Sequence, residues 1–282
     1  LFPHMQRGRC GMTDKLVVAR AALHMWEEPC LSGEEGSGTV FFSGCALGCV
    51  YCQNREIARA HTGKEITAQR LTDIFLELQN KRANNINLVT AGHYLPQVIT
   101  ALRAAKERGL RIPIVYNSSG YEKAEAIREL DGLVEIYLSD MKYVSSELSA
   151  RYSFAADYFE TAKKAIAEMV NQCGEARFDE RGIMQRGVIV RHLQLPGCIE
   201  DSKRVIRYLY ETYGDGIFIS IMNQYTPLPH VSDYPEINRK LREKEYEDLV
   251  DYAIELGVLN GFLQEGEAAS ESFIPPFDLE GV

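Results

Sequence analysis

The sequence lacks the features that would place it in a membrane or on a nucleic acid. No apolar run reaches the ~18–20 residues that span a bilayer. The net charge is −9, with 40 acidic against 31 basic residues, so the basic excess typical of nucleic-acid-binding domains is missing. The first ten residues, LFPHMQRGRC, have no long apolar core of the kind found in signal peptides. We therefore expect a cytoplasmic protein without membrane or nucleic-acid partners.

A disulfide framework is also missing, because the chain has an odd number of cysteines, seven, and nothing in it indicates export. Three of the seven, Cys45, Cys49 and Cys52, lie close together in FFSGCALGCVYCQN with the spacing C-x3-C-x2-C. Thiolates are soft ligands that suit iron–sulfur clusters, which usually take four cysteines. A loop with three thiolates can hold three irons of a [4Fe-4S] cluster and leaves the fourth iron open to another ligand.

A structural zinc site is the main alternative for these cysteines. Such sites normally use four ligands, often as two C-x2-4-C pairs. Only one such pair, Cys49 and Cys52, is present, although Cys10 or Cys30 could supply further ligands. The sequence therefore favours the open iron–sulfur cluster and leaves the zinc site as an alternative.

The rest of the chain predicts an α/β fold. Its 282 residues, 45% of them hydrophobic, are enough for one large core. Nearly continuous apolar runs are typical of parallel strands buried on both faces. Six such runs are predicted as strands: Thr39–Phe42, Ile86–Thr90, Ile112–Tyr116, Leu133–Ser139, Gly187–Leu193 and Ile217–Ile221.

Amphipathic helical patterns alternate with these strands. One runs from Ile66 to Lys81 and places apolar residues at i, i+3, i+4 and i+7. Others begin near Leu95, Tyr158, Ser202 and Asn238. Six β–α units in a row predict a partial parallel (β/α)6 barrel. We assign the barrel to residues 39–265, with an N-terminal extension at 1–38 and a C-terminal tail at 266–282.

Polar and glycine residues recur where the six apolar strands end. In barrels built from β–α units, active residues gather at this carboxyl-terminal rim. The first strand leads directly into the cysteine loop, which carries Tyr51. The later strands place Gly92, His93, Asn117, Asp140, Lys142, Arg191 and Asn223 at or near their ends. The sequence therefore predicts that these residues share one site.

Two of these strand ends carry charged residues. Asp140 and Lys142 are two positions apart, so both side chains point to the same face of an extended chain. Arg191 lies inside an apolar strand, where an unpaired guanidinium would be costly, so it needs a carboxylate from a ligand or from a side chain. The next residue, His192, faces the other side.

The cysteine motif, together with VARAALHMWEEPCLSG, INLVTAGHYLPQVI, RHLQLPG and ISIMNQYTP, resembles the radical SAM superfamily. More narrowly, the chain resembles the proteins similar to pyruvate formate-lyase activating enzyme, in an uncharacterised iron–sulfur branch. The resemblance extends from about residue 9 to the C-terminus. It implies a [4Fe-4S] cluster whose open iron binds S-adenosylmethionine (SAM). It further implies an oxidoreductase that cleaves SAM to a 5′-deoxyadenosyl radical, which takes a hydrogen atom from a substrate.

The resemblance also implies roles for the rim residues. Tyr51 would lie against the adenine. Asp140, Lys142 and Arg191 stand where the activating enzymes contact SAM, and Asn117 matches a polar residue at the end of the third strand. The chain departs from the pattern at Ala91-Gly92-His93, where Gly-Gly-Glu is usual, so either His93 or a backbone carbonyl would bind the SAM amino group. Asn223 stands near the position of a family histidine that has no counterpart here.

The resemblance suggests a glycyl-radical enzyme as the protein substrate and a flavodoxin or ferredoxin as the electron donor. The four remaining cysteines are scattered, so the eight-iron ferredoxin insertion of some activating enzymes is not indicated. Radical modification of a small molecule or peptide stays open, as does a non-catalytic iron–sulfur or zinc protein. The reaction product, the oligomeric state and a second metal at Cys10 and Cys30 are not predicted by the sequence.

Overall fold

The computed structural model of the chain describes residues 8–264 and 275–282. A single large sheet organises these residues. Its strands, in chain order, are β1 (Val17–His24), β2 (Ser37–Phe42), β3 (Lys64–Glu65), β4 (Ile86–Val89), β5 (Ile114–Ser118), β6 (Ile136–Asp140), β7 (Arg177–Phe178), β8 (Met184–Leu193), β9 (Phe218–Met222) and β10 (Gly261–Leu263). The α-helices are α1 (Pro29–Ser32), α2 (Arg55–Ala58), α3 (Ala68–Asn80), α4 (Leu95–Glu107), α5 (Ala124–Arg128), α6 (Ser146–Ser153), α7 (Tyr158–Cys173), α8 (Ile199–Tyr213) and α9 (Glu243–Leu256).

The sheet is a partial barrel with parallel strands at its centre. The strand order is β10-β9-β8-β6-β5-β4-β2-β1-β3, and every neighbouring pair from β2 to β10 is parallel. Among the described residues, β3 and β10 do not pair with each other, so the barrel stays open. The predicted α/β class and partial barrel are confirmed, and the six predicted strands correspond to β2, β4, β5, β6, β8 and β9.

The strands form where the sequence is apolar on both faces, because both faces are covered. Helices pack on the outside of the sheet through residues such as Leu71 and Phe75 of α3 and Val98 of α4, all fully buried. A smaller apolar cluster fills the inside of the barrel, where Cys30 and Leu31 of α1 contact Val115, Ile136 and Ile189. Both faces of the sheet are therefore covered by apolar contacts, in separate clusters.

The segment before β2 contributes more to the barrel than its irregular sequence indicates. Strand β1 pairs with β2 in antiparallel orientation, and α1 enters the barrel from one end. Residues 275–282 run beside β1, where the amide of Ala21 donates to the carbonyl of Glu280 (2.8 Å). The predicted boundaries of the extension and the tail fall partly on residues 1–7 and 265–274, which lie outside the described residues.

Within the described residues, no helix is long and apolar enough to cross a bilayer.

Candidate active site

A cavity of about 240 Å³ opens at the carboxyl ends of the parallel strands. Eight of the eleven predicted site residues line it. They are Cys45, Cys49, Tyr51, Cys52, Asn117, Asp140, Lys142 and Arg191. The cysteine loop and the charged strand ends thus lie at the same cavity, although these residues come from four different β–α units.

The cysteine loop is held against the sheet by its backbone. Gly44 adopts φ = 93°, and a Cβ there would lie 2.3 Å from the Met12 side chain, so this turn requires glycine. The amide of Gly44 donates to the carbonyl of Ile57 (2.8 Å), and the amide of Val50 donates to the carbonyl of Tyr152 (2.8 Å). The loop is therefore fixed on both sides before any ligand binds.

The donor set suits an iron–sulfur cluster. Burial raises the pKa of Cys45 and of Cys52 to about 12, so the metal-free loop keeps these thiols protonated at neutral pH. Metal ligation requires thiolates, so a bound metal must displace these protons. The loop presents three soft sulfur ligands to the cavity. The cavity also has room for a further metal ligand that the protein does not supply.

A single-ion site is not assembled from these residues. In residues 8–264 and 275–282, no group of three or more His, Cys, Asp and Glu side chains is arranged to hold one metal ion. Tetrahedral zinc would need all its sulfurs within about 2.3 Å of one point, whereas a cluster binds each cysteine at a different iron.

In the same cavity, Asp140 lies between two cations. One carboxylate oxygen accepts from Lys142 Nζ (2.6 Å) and the other accepts from Arg191 Nε (3.1 Å). The guanidinium also donates to Asn117 Oδ1 (2.8 Å). The carboxylate partner that Arg191 was expected to need is thus a side chain of the same site.

A second carboxylate reaches the cluster of charges from the N-terminal segment. Glu27 Oε2 forms an ion pair with Arg191 (3.3 Å), and its Oε1 accepts from Asn87 Nδ2 (2.9 Å). The neighbouring Glu28 is 8% exposed, and its Oε2 has no hydrogen-bond partner among the described residues. The segment that precedes α1 therefore supplies two acidic residues to the interior of the barrel.

Burial and neighbouring charges set the ionisation of this group. Burial raises the pKa of Glu27 and of Glu28, which favours their neutral forms. Burial acts in the same direction on Asp140, but Lys142 and Arg191 outweigh it and hold the pKa of that carboxyl below its ordinary value. Two cations therefore face one firmly ionised carboxylate, a balance that suits an anionic group of a ligand.

The end of β4 carries a strained residue. Thr90 lines the cavity with φ = 62°, a conformation that a β-branched residue rarely adopts, while its amide donates to the carbonyl of Asn117 (2.9 Å). Such strain costs about 1–3 kcal/mol and is typical of ligand-binding positions. The backbone at this strand end is therefore held in an unusual conformation beside the cavity.

Gly92 and His93 follow Thr90 but do not line the cavity. His93 Nε2 is 2.7 Å from the carbonyl oxygen of Ser43, directly before the cysteine loop, and burial lowers the pKa of this histidine. A Cβ on Gly92 would lie 2.6 Å from the carboxylate of Glu122, whose pKa burial raises to about 7. The contacts of both residues are thus with neighbouring protein groups.

Of the last two predicted site residues, one lines the cavity and the other does not. Tyr51 is 6% exposed and lines the cavity, with its hydroxyl 2.7 Å from that of Tyr143. Asn223 does not line the cavity. Its backbone amide donates to Gln264 Oε1 (3.1 Å), and its neighbours Met222 and Gln224 line the cavity instead.

The sequence prediction missed Glu27 and Glu28. The signal that could have found them is a pair of acidic residues within the otherwise apolar run LHMWEEPCL, where uncompensated carboxylates would be costly. No periodic pattern marks this segment, because it reaches the site through a turn.

Comparisons with known proteins agree with this geometry. Residues 39–173 match the radical SAM superfamily. An uncharacterized protein of Methanocaldococcus jannaschii is 28% identical over 254 residues, which cover 88% of this chain and 70% of that protein. The pyruvate formate-lyase-activating enzyme of Clostridium pasteurianum is 33% identical over 113 residues, and the pyruvate formate-lyase 1-activating enzyme of Escherichia coli is 28% identical over 113 residues. Each of these two matches covers 38% of this chain and 46% of the relative, so the match spans about half the length of the activating enzymes.

Solved structures share the fold. SuiB of Streptococcus suis, in a crystal structure bound to S-adenosylmethionine, aligns with a TM-score of 0.54 at 14% identity and covers 81% of this chain and 52% of SuiB. HydG, a maturase of the [FeFe]-hydrogenase, aligns with a TM-score of 0.54 at 13% identity and covers 82% of this chain and 52% of HydG.

Proposed function

Because this chain belongs to the radical SAM superfamily, we propose that it acts as an activating enzyme, which removes a hydrogen atom from a backbone glycine of a partner enzyme. The observation that carries the proposal is that one cavity is lined both by three cysteine thiols and by the Asp140, Lys142 and Arg191 side chains. The partial similarity to two activating enzymes supports the choice of substrate.

The cofactors of the superfamily, a [4Fe-4S] cluster and SAM, fit the residues of the cavity. Together, when bound, they supply one-electron cleavage of the SAM sulfonium to methionine and a 5′-deoxyadenosyl radical that takes a hydrogen atom from the substrate. In our proposal, Cys45, Cys49 and Cys52 each bind one iron and leave the fourth to the amino and carboxylate groups of SAM.

The charged strand ends would position SAM. Lys142 has three hydrogen-bond donors and uses one on Asp140, so the others are free to bind the SAM carboxylate. Arg191 would add a second positive charge near this carboxylate. Asp140 and Asn117 would accept hydrogen bonds from the ribose, and the ring of Tyr51 would lie against the adenine.

The amino group of SAM needs an acceptor, and the usual acidic residue is missing at position 93. The ring of His93 is already bonded to Ser43, so we assign this role to backbone carbonyls near Thr90, where the strained turn lines the cavity.

In our proposal, a protein substrate would enter the cavity at the open edge of the sheet. Trp26, with 63% of its surface exposed, lies in the cavity wall and offers an apolar surface to an entering loop. A flavodoxin or ferredoxin would supply the electron.

A labelling experiment tests the choice of substrate. A glycyl-radical enzyme from the same organism is produced with deuterated glycine and incubated anaerobically with the reconstituted chain, SAM and reductant. We expect deuterium in the 5′-deoxyadenosine and a glycyl-radical signal in the EPR spectrum. Unlabelled 5′-deoxyadenosine without that signal would contradict the activating role and direct the search to a small molecule or peptide.

A further inference from the structure

Three hydroxyl groups connect Tyr51 to the cluster cysteine Cys49. The hydroxyls of Tyr51 and Tyr143 are 2.7 Å apart, and the Tyr143 hydroxyl is 3.0 Å from Ser153 Oγ. Ser153 Oγ is in turn 3.0 Å from Cys49 Sγ. The three hydroxyl-bearing residues are at most 6% exposed, so water does not compete for these bonds.

A metal-bound Cys49 would fix the direction of every bond in this chain. Its thiolate has no hydrogen and can only accept, so Ser153 must donate to it. In the structure the Tyr143 hydroxyl donates to that of Tyr51. A hydroxyl has one hydrogen, so once Ser153 donates to the thiolate, Tyr143 must turn its hydrogen to Ser153 and accept from Tyr51.

We propose that Tyr51, Tyr143 and Ser153 form a hydrogen-bond chain that stabilises the Cys49 thiolate and raises the reduction potential of the cluster. A hydrogen bond withdraws negative charge from a ligand sulfur, which makes one more electron on the cluster less unfavourable. Each donor is strengthened by the bond that it accepts. The inference rests on the proposed function, because it requires the cluster at Cys45, Cys49 and Cys52.

The surrounding fold holds this chain in register. Ser153 is the last residue of α6, and the carbonyl of the preceding Tyr152 accepts from the amide of Val50 in the cysteine loop (2.8 Å). Phe154 ends the helix in the left-handed conformation and packs near Gly48. The end of α6 therefore contacts the cysteine loop on both sides of the Cys49–Ser153 bond.

The test measures the reduction potential of the full chain, reconstituted anaerobically with iron and sulfide and titrated with dithionite, which supplies one electron per cluster. EPR follows the reduced cluster. Ser153→Ala removes the bond to Cys49, and we expect the ratio of reduced to oxidised cluster at a fixed potential to fall about tenfold, which is 59 mV for one electron. Tyr143→Phe leaves Ser153 in place and should shift the ratio in the same direction by a smaller factor.

Tyr152→Phe is the matched control, since it removes a buried hydroxyl of the same helix that bonds to Glu236 and not to the chain (2.9 Å). Its potential should equal that of the unchanged protein. If Ser153→Ala and Tyr143→Phe bind four irons and keep that potential, the inference is overturned while the proposed function stands. If Ser153→Ala assembles no cluster, Tyr143→Phe alone decides the inference. If the unchanged chain binds no cluster, the proposed function itself fails.

Discussion

Burial acts in the same direction on Lys142 and His192, but only at Lys142 does a neighbouring carboxylate outweigh it. Burial alone would lower the pKa of Lys142, but the attraction of Asp140 outweighs it and raises that pKa, so the ammonium stays charged inside the site. His192 is 2% exposed and has no such carboxylate partner, and burial lowers its pKa to about 4. The first residue is therefore charged and faces the cavity, and the second is neutral and part of the core.

Replacing Lys142 by methionine should weaken SAM binding while the cluster content is unchanged. The variant keeps the apolar stem and removes the cation that we assign to the SAM carboxylate. A charge-assisted hydrogen bond contributes about 1.5–3 kcal/mol, so the dissociation constant measured by anaerobic calorimetry should rise at least about tenfold. Lys106→Met, which removes an ion pair with Glu135 (2.8 Å) far from the cysteines, should leave it unchanged. Equal affinities in the two variants would argue against the role of Lys142.

His192 should make the fold sensitive to acid. Its Nδ1 is 2.8 Å from the carbonyl of Met141 and its Nε2 is 2.9 Å from Ser202 Oγ, so the neutral ring is the bound form. Because the folded-state pKa is depressed below the ordinary 6.5, its stabilisation is present above pH 6.5 and is lost as the pH falls towards 4. The loss can reach about 3 kcal/mol.

Urea unfolding at pH 7 and pH 4.5 checks this prediction. His192→Gln should reduce the difference in unfolding free energy between the two pH values, whereas His61→Gln, at an exposed position, should not. The same pH dependence in both variants would show that His192 does not titrate with folding.

At the scale of elements, the ends of β5 and β6 approach each other through Gly120. This residue has φ = 76°, and a Cβ there would lie 2.2 Å from the carbonyl oxygen of Asp140. The close contact brings the turn after β5 against the last residue of β6, where Asp140 points into the cavity. The spacing of the two strand ends therefore depends on a missing side chain.

Gly120→Ala should destabilise the fold by more than Gly132→Ala. Both positions have positive φ, and this conformation costs an alanine about 1–2 kcal/mol. At Gly132 nothing lies within 4 Å of the added Cβ, so only this conformational cost applies. At Gly120 the clash with the Asp140 carbonyl adds to it, and the midpoint of urea unfolding should fall further. Equal midpoints would mean that the two strand ends move apart without cost.

The sequence predicted the central strands well and the segment before β2 poorly, for a physical reason. Parallel strands buried on both faces, such as β4 and β5, leave a nearly continuous apolar run that can be recognised locally. Strand β1 has a mixed pattern, and part of its edge is paired by residues 275–282, which are distant in sequence. The charged strand ends could be placed at one rim from topology alone. The positions of Glu27 and Glu28 depend on how a turn enters the barrel, which no local pattern records.

At the scale of the whole molecule, the fold gathers one candidate active site from distant parts of the chain. Three thiols, two cations and their carboxylates meet at the carboxyl ends of the strands, while the opposite end of the barrel interior is closed by α1 and its apolar contacts. The sheet is open between β3 and β10 within the described residues, so the cavity is not sealed by strand pairing. This arrangement suits a reaction that is initiated on a buried cofactor and completed on a second molecule.

The most direct test of the account is cleavage of SAM by the anaerobically reconstituted and reduced chain. We expect about four irons and labile sulfide per chain, 5′-deoxyadenosine as a product, and neither cluster nor product from a folded Cys49→Ala variant. Stoichiometric zinc without labile sulfide, or the same rate of 5′-deoxyadenosine formation in Cys49→Ala as in the unchanged chain, would contradict the account.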